Sequence, residues 1–129
     1  MHYLLDTHVW LWLDSEPKRI EPKLLEAFKK PSTGLYLSSI SCWEIVIKTG
    51  LNKLKLNSTP EQFFRDLQTD YQAIMLDFSR DHAVASGRLP AFHKDPFDRA
   101  LVAQAQSEHL KLVTVDKQLA AYGSNILVI

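Results

Sequence analysis

Short apolar segments of strand type alternate with helical segments along the whole chain. Strands are predicted at 2–6, 35–38, 73–76, 112–115 and 126–129. Helices are predicted between them at 7–13, 23–30, about 39–50, from 59–61 onward, 79–88, 95–109 and 117–122. Strands that are apolar on both faces and separated by helices are typical of a parallel sheet covered on both sides. The pattern therefore predicts an α/β fold, a three-layer α/β/α domain with a five-stranded parallel sheet.

The composition restricts the class of protein further. No repeat, low-complexity tract or long linker interrupts the 129 residues, and 46% of them are hydrophobic, so we expect one domain spanning 1–129. The net charge is zero, which argues against a broad basic surface for nucleic acid but not against a local site with bound metal ions. A single cysteine, Cys42, excludes an internal disulfide. With no signal peptide and no membrane-spanning segment, these features predict a soluble cytoplasmic protein.

Two carboxylates follow predicted strands. Asp6 ends the first strand and Asp116 ends the fourth. In an open α/β sheet, sites form beyond the carboxyl ends of strands, near the point where the strand order reverses. If the first and fourth strands are neighbours across that point, Asp6 and Asp116 meet there.

Two further carboxylates lie on predicted helices. Glu44 points into an apolar stripe formed by Ile40, Trp43, Ile47 and Leu51, although the helix is apolar nearly all round. Asp98 is likewise flanked by apolar residues at 101, 102 and 105. Several buried carboxylates repel one another, and a hard divalent cation such as magnesium or manganese relieves that repulsion.

The acids other than Glu44 also have ordinary structural explanations. Asp95 precedes Pro96 and is best interpreted as a helix N-cap. Asp98 suits the first turn of that helix, and Asp6 and Asp116 suit N-caps of the helices that follow them. The convergence of Asp6, Glu44, Asp98 and Asp116 on one rim is what favours a site.

The remaining chemistry-bearing residues carry less information. The five histidines show no metal-ligand spacing and are interpreted as structural, and the run 9–12 (VWLW) as core or dimer surface. Cys42 has no placed base and is predicted to be a core residue. No Walker loop, GxGxxG or nucleophile elbow is present.

Four motifs follow one another along the chain: Leu4-Leu5-Asp6-Thr7-His8, Ser38-Ser39-Ile40-Ser41-Cys42-Trp43-Glu44-Ile45, Asp95-Pro96-Phe97-Asp98-Arg99 with Ala103-Gln104-Ala105, and Leu112-Val113-Thr114-Val115-Asp116. Together they resemble the PIN-domain family and, more narrowly, the VapC-type toxins. They span essentially the whole chain in the family's order and spacing. Each motif alone is weak, and the four in sequence are specific.

The resemblance implies a magnesium- or manganese-dependent endoribonuclease that acts as the toxin of a toxin–antitoxin pair. By motif match, Asp6, Glu44, Asp98 and Asp116 take the family's acidic positions, with Asp116 at the position that varies most. Thr7 and Thr114 stand where the family often has a supporting hydroxyl. The resemblance also implies a homodimer and a cognate antitoxin that occupies the active-site groove.

The mechanism expected from this site is hydrolysis of RNA by a metal-activated water, with Asp6 and Asp98 as direct ligands and Glu44 and Asp116 bound directly or through water. It predicts 5′-phosphate and 3′-hydroxyl products. Four basic residues near the acids in sequence are candidates for contacts to flanking phosphates: Arg99, Lys94, Arg80 and Arg88.

Alternative functions remain for such a chain. Phosphatases of the haloacid-dehalogenase kind need a second aspartate where this chain has His8, and receiver domains need adjacent acids where Asp6 is followed by Thr7. The alternative from another class is a catalytically inactive PIN-like module that binds RNA or a protein partner.

Overall fold

The strands and helices alternate as predicted. The computed structural model describes all residues, 1–129. The strands are β1 His2–Leu5, β2 Gly34–Ser38, β3 Ile74–Leu76, β4 Lys111–Thr114 and β5 Ile126–Val128. The α-helices are α1 Thr7–Ser15, α2 Pro22–Lys29, α3 Ser39–Gly50, α4 Pro60–Asp70, α5 Arg80–Gly87 and α6 Pro96–Ser107, and two 3₁₀ helices span Pro17–Arg19 and Lys117–Tyr122.

The five strands form one parallel sheet in the order β3-β2-β1-β4-β5. The chain moves outward from β1 to β3 on one side and then returns to place β4 against the other side of β1. The strand order therefore reverses between β1 and β4, where Leu5 pairs with Val113. This register sets Asp6, the next residue along the chain, level with Thr114, at the edge where sites of such sheets form.

Two apolar cores cover the two faces of the sheet, which confirms the three-layer architecture. Along β1, Tyr3 and Leu5 belong to one core while Leu4 belongs to the other, as the alternation of side chains along a strand requires. Trp10 and Phe63 are the largest fully buried side chains of the first core. Each fully buried side chain of this kind contributes about 1.5–3 kcal/mol to folding.

Polar side chains begin the helices that leave the carboxyl edge of the sheet. Asp6 accepts a hydrogen bond from the Val9 N–H, and Ser38 accepts one from the Ile40 N–H. Asp95 caps α6 through the Phe97 N–H, so its predicted N-cap role is confirmed. These caps satisfy N–H groups that have no partner inside the helix.

The predicted buried stripe of α3 is wrong for two of its four residues. Trp43 is 58% exposed and Leu51 is 59% exposed, whereas the buried residues of the helix are Ile40, Ser41, Glu44 and Ile45. Because α3 carries apolar residues nearly all round, hydrophobicity did not define which face packs against the sheet. Glu44 is nevertheless buried, as expected, since it lies three residues after Ser41 on the packed face.

Other predictions for single residues can be compared with the structure. In the aromatic run 9–12, Trp10 is a core residue, and Trp12 stacks under the Arg19 guanidinium at 5.2 Å. Cys42 packs against the first core, and burial raises the pKa of its thiol to about 11, so the reactive thiolate does not form near neutral pH.

None of the helices has both the length and the apolar character that a membrane crossing requires.

Candidate metal centre

Asp6 lies at the base of a pocket between β1 and β4. Its Oδ1 accepts the Val9 N–H at 3.0 Å, and its Oδ2 accepts the Thr114 hydroxyl at 2.5 Å and the Val115 N–H at 3.3 Å. These hydrogen bonds hold the carboxylate in one orientation. Burial nevertheless raises the pKa of Asp6 above its ordinary value, because removal from water outweighs the hydrogen bonds that lower it.

Glu44 reaches the same pocket from α3. Its Oε1 accepts the Thr7 hydroxyl at 2.7 Å, and Thr7 Oγ1 lies 2.9 Å from Ser41 Oγ. Its Oε2 lies 2.5 Å from Lys48 Nζ, one helical turn further along α3. Thr7 and Thr114, the two predicted supporting hydroxyls, therefore each donate to one of the predicted acids.

Asp98 projects into the pocket from the first turn of α6. Burial and then the negative charge of Asp95 raise the pKa of Asp98 to about 7; the carboxylates of Asp6 and Glu44 add to this rise, and His93 offsets part of it. Both removal from water and nearby negative charge disfavour the ionised carboxylate, and a cation bound beside Asp98 would offset both effects.

Asp116 completes the rim at the carboxyl end of β4. It caps the 3₁₀ helix Lys117–Tyr122 by accepting the Gln118 N–H at 2.9 Å on Oδ1, and its Oδ2 lies 2.7 Å from His93 Nε2. Partial burial pushes its pKa upward, but the hydrogen bonds from Gln118 and His93 more than offset this, so the pKa lies below its ordinary value.

One pocket of about 240 Å³ contains all four predicted acids. It is lined by Asp6, Thr7, His8, Glu44, Lys48, Asp95, Asp98, Val115 and Asp116. Larger depressions exist, including one of about 570 Å³ at the opposite edge of the sheet beside His2 and Lys111, but it lacks a cluster of acids. The pocket with convergent, electrostatically strained groups is the better candidate for chemistry.

The sequence matches the model of the PIN domain over residues 3–125. The chain belongs to the PIN-domain family. A comparison with curated proteins found no significant match.

Solved structures show the same fold for this PIN domain. VapBC2 from Rickettsia felis bound to a promoter DNA fragment matches with a TM-score of 0.73 at 19% identity, covering 100% of this chain and 98% of the other. A toxin–antitoxin complex from Klebsiella pneumoniae matches at 0.69 and 22% identity, covering 98% and 96%. DNA-bound VapBC from Salmonella typhimurium matches at 0.62 and 19% identity, covering 100% and 97%.

Four residues that line the PIN domain's pocket were not among the predicted site residues: His8, Lys48, Asp95 and Val115. Neither was His93, which contacts two of the acids. Lys48 stands four residues after Glu44, a spacing that pairs opposite charges on a helix, so the sequence contained a usable signal. His93 contacts Asp116 across 23 residues of chain, and no spacing rule connects them. The interpretation of all five histidines as structural therefore overlooked His93.

None of the predicted phosphate-binding residues lines this pocket. The Arg99 guanidinium instead lies within hydrogen-bond distance of four backbone carbonyls and a phenol, those of Ser86, Leu89, Pro90, His93 and Tyr122. Because these contacts use its donors, Arg99 holds the loop before α6 and is not free to bind a phosphate. Arg80, Arg88 and Lys94 are exposed.

The donor set of the pocket fits a hard divalent cation. The carboxylates that line it are those of Asp6, Glu44, Asp95, Asp98 and Asp116, whereas Lys48 is the one lysine or arginine there. Carboxylate oxygens are preferred ligands of magnesium and manganese. Burial is the largest cause of the raised pKa of Asp98, and the negative charges of Asp95, Asp6 and Glu44 add to it.

Proposed function

We propose that this PIN domain is a magnesium- or manganese-dependent endoribonuclease and the toxin of a toxin–antitoxin pair. The observation that carries the proposal is the strained acidic pocket at the β1/β4 edge, in which the pKa of Asp98 rises to about 7. Such strain destabilises the fold, and a cation that binds there relieves it.

Asp6 and Asp98 are the residues proposed to hold the cation directly. Asp6 is oriented from three sides, and burial together with the charge of Asp95 raises the pKa of Asp98 to about 7. Glu44 and Asp116 are proposed to hold it directly or through water. A bound divalent ion would supply positive charge to the scissile phosphate and lower the pKa of a water molecule.

The residues around these acids keep them in place. Thr114 and the Val115 N–H orient Asp6, while Thr7 orients Glu44. Side chains that orient ligands in this way typically change metal affinity or activity by about 10–100-fold when removed. The proposed reaction leaves a 5′-phosphate and a 3′-hydroxyl and does not use the RNA 2′-hydroxyl.

The toxin role is supported by the solved structures with this fold, since those named here are toxin–antitoxin or VapBC complexes. The proposed partners are therefore an RNA substrate and a cognate antitoxin, with a homodimer as the working assembly. The exposed apolar side chains of Trp43 and Val46 on α3, and of Leu51 directly after it, are available for such contacts.

The test is cleavage of total bacterial RNA by purified, antitoxin-free protein with manganese, with magnesium or with chelator, followed by mapping of product ends. Wild type is compared with Asp6→Asn and with the control Asp70→Asn, which removes an exposed carboxylate of α4. We expect metal-dependent cuts at few sites, retained in the control and lost in Asp6→Asn.

Two results would contradict the proposal. A 2′,3′-cyclic phosphate at the product ends would exclude hydrolysis by an activated water. No cleavage by folded, metal-loaded protein would favour the inactive module that binds RNA or a protein partner, which a binding assay on the same RNA then tests.

A further inference from the structure

His93 lies between two of the acids in the pocket. Its Nε2 is 2.7 Å from Asp116 Oδ2 and 3.4 Å from Asp98 Oδ2, and the imidazole is largely buried. One donor atom from each of these three residues lies within 4.8 Å of the others. Judged by proximity alone, His93 would be a nitrogen ligand of the cation.

The other imidazole nitrogen argues against that assignment. The Asp95 N–H donates to His93 Nδ1 at 3.0 Å. A nitrogen that accepts a hydrogen bond carries a lone pair, so the ring proton of the neutral imidazole is on Nε2. Nε2 therefore donates to Asp116 and has no lone pair to offer a metal.

We infer that His93 is a positioning residue that holds the Asp116 carboxylate through Nε2–H and remains outside the coordination sphere of the cation. The site is then built from oxygen donors alone. This inference rests on the proposed metal-dependent function for the identity of the bound group, but the hydrogen bonds that carry it belong to the chain itself.

The surroundings of His93 fix both the ring and its partner. The backbone N–H of His93 donates to Tyr122 Oη at 3.1 Å, and its carbonyl oxygen lies 3.3 Å from Arg99 Nη1. On the other side, the Gln118 N–H holds the second oxygen of Asp116. The carboxylate is thus clamped from two directions, and the imidazole cannot turn without losing the Asp95 N–H contact.

Two substitutions test the roles of the two imidazole nitrogens separately. His93→Gln places an N–H donor near the position of Nε2, whereas His93→Asn retains an acceptor near Nδ1 but loses the donor to Asp116. His109→Asn is a matched control, because His109 is exposed, lies outside the pocket and has a φ of 56° that asparagine tolerates.

The first measurement is the ¹⁵N spectrum of the imidazoles in metal-free protein, which reports which nitrogen carries the proton. The second is the affinity for Mn²⁺ by calorimetry. The third is pulsed electron paramagnetic resonance of bound Mn²⁺ in protein labelled with ¹⁵N-histidine, which detects directly bound nitrogen. None of these depends on RNA cleavage.

We expect the Nε2–H form at His93, no directly bound nitrogen, and a Mn²⁺ affinity about 10-fold lower in His93→Asn. The affinity should recover in His93→Gln and be unchanged in His109→Asn. Circular dichroism establishes that each variant is folded. If both His93 variants unfold, the spectra of the wild type still decide the question.

Three results would overturn the inference: a proton on Nδ1, a nitrogen signal from His93 in the Mn²⁺ complex, or an unchanged affinity in His93→Asn. Failure of the proposed function gives a different result, namely no Mn²⁺ binding by the wild type. That outcome removes the metal from both proposals, while the ¹⁵N spectrum still establishes whether His93 donates to Asp116.

Discussion

Replacement of Asp98 by asparagine should stabilise the metal-free protein. The Asp98 carboxylate is mostly buried, with 23% of its side chain exposed, and neighbouring carboxylates surround it. Burial and the charge of Asp95 are the two largest causes that raise its pKa to about 7. Asparagine has nearly the same shape and carries no charge, so the substitution removes the repulsion and leaves the packing in place.

The size of the effect follows from the pKa. Each unit by which folding raises the pKa of an acid costs about 1.4 kcal/mol once the acid is ionised. A rise from 3.8 to about 7 corresponds to an upper limit of about 4 kcal/mol. Because the carboxylate is partly exposed, solvent screening reduces this, and we expect about 2–3 kcal/mol.

The sign of the pH dependence is opposite to that of a salt-bridged aspartate. Between about pH 4 and pH 7 the folded state retains the Asp98 proton while the unfolded state has released it, so stability falls as the pH rises through this window. Above about pH 7 the penalty is constant. Asp98→Asn should therefore gain most at about pH 8 and little at about pH 4.

Urea unfolding in chelator at several pH values measures this difference. Asp81→Asn is the matched control, because Asp81 is an exposed acid in the first turn of α5 just as Asp98 is an acid in the first turn of α6. Added Mn²⁺ should raise the melting temperature of the wild type more than that of Asp98→Asn. Equal stability of Asp98→Asn and wild type at about pH 8, or a gain independent of pH, would refute the electrostatic reasoning.

Three further substitutions test neighbouring contacts. Thr114→Val removes the hydroxyl that donates to Asp6 and should lower the free energy of unfolding by about 1–3 kcal/mol in urea titrations. Lys48→Met removes the ammonium that pairs with Glu44, so calorimetry should show a several-fold higher Mn²⁺ affinity because one competing cation is absent. Arg99→Lys cannot reach the carbonyls that the guanidinium joins, so hydrogen exchange in residues 86–93 should become faster although the positive charge remains.

Two of these substitutions have a matched control, and each of the three has a contradicting result. Thr69→Val alters an exposed threonine of α4. An equal loss of unfolding free energy there would show that the effect comes from replacing any threonine by valine and not from the Thr114–Asp6 hydrogen bond. Lys53→Met removes a lysine outside the pocket, and an equal gain in Mn²⁺ affinity would indicate a general charge effect. Unchanged exchange in Arg99→Lys would mean that the loop does not depend on the guanidinium.

The sequence alone was sufficient for the parts of the molecule that depend on local signals. Strand and helix order follows from apolar runs separated by proline, glycine and capping residues, and Asp95-Pro96 does begin α6. The positions of Asp6 and Asp116 after β1 and β4 were also readable, because a residue that follows a strand lies at the edge of a sheet whatever the neighbouring strands are.

Tertiary structure alone decided which face of α3 is buried and what the pocket's polar groups contact. Hydrophobicity could not select that face, since Trp43 and Leu51 are as apolar as the residues that pack inside. The contact of His93 with Asp116 and the engagement of Arg99 by loop carbonyls join segments that are distant or irregular in sequence. Such contacts depend on the placement of β4 beside β1 in the strand order. That placement is a property of the assembled sheet, and no local pattern of residues encodes it.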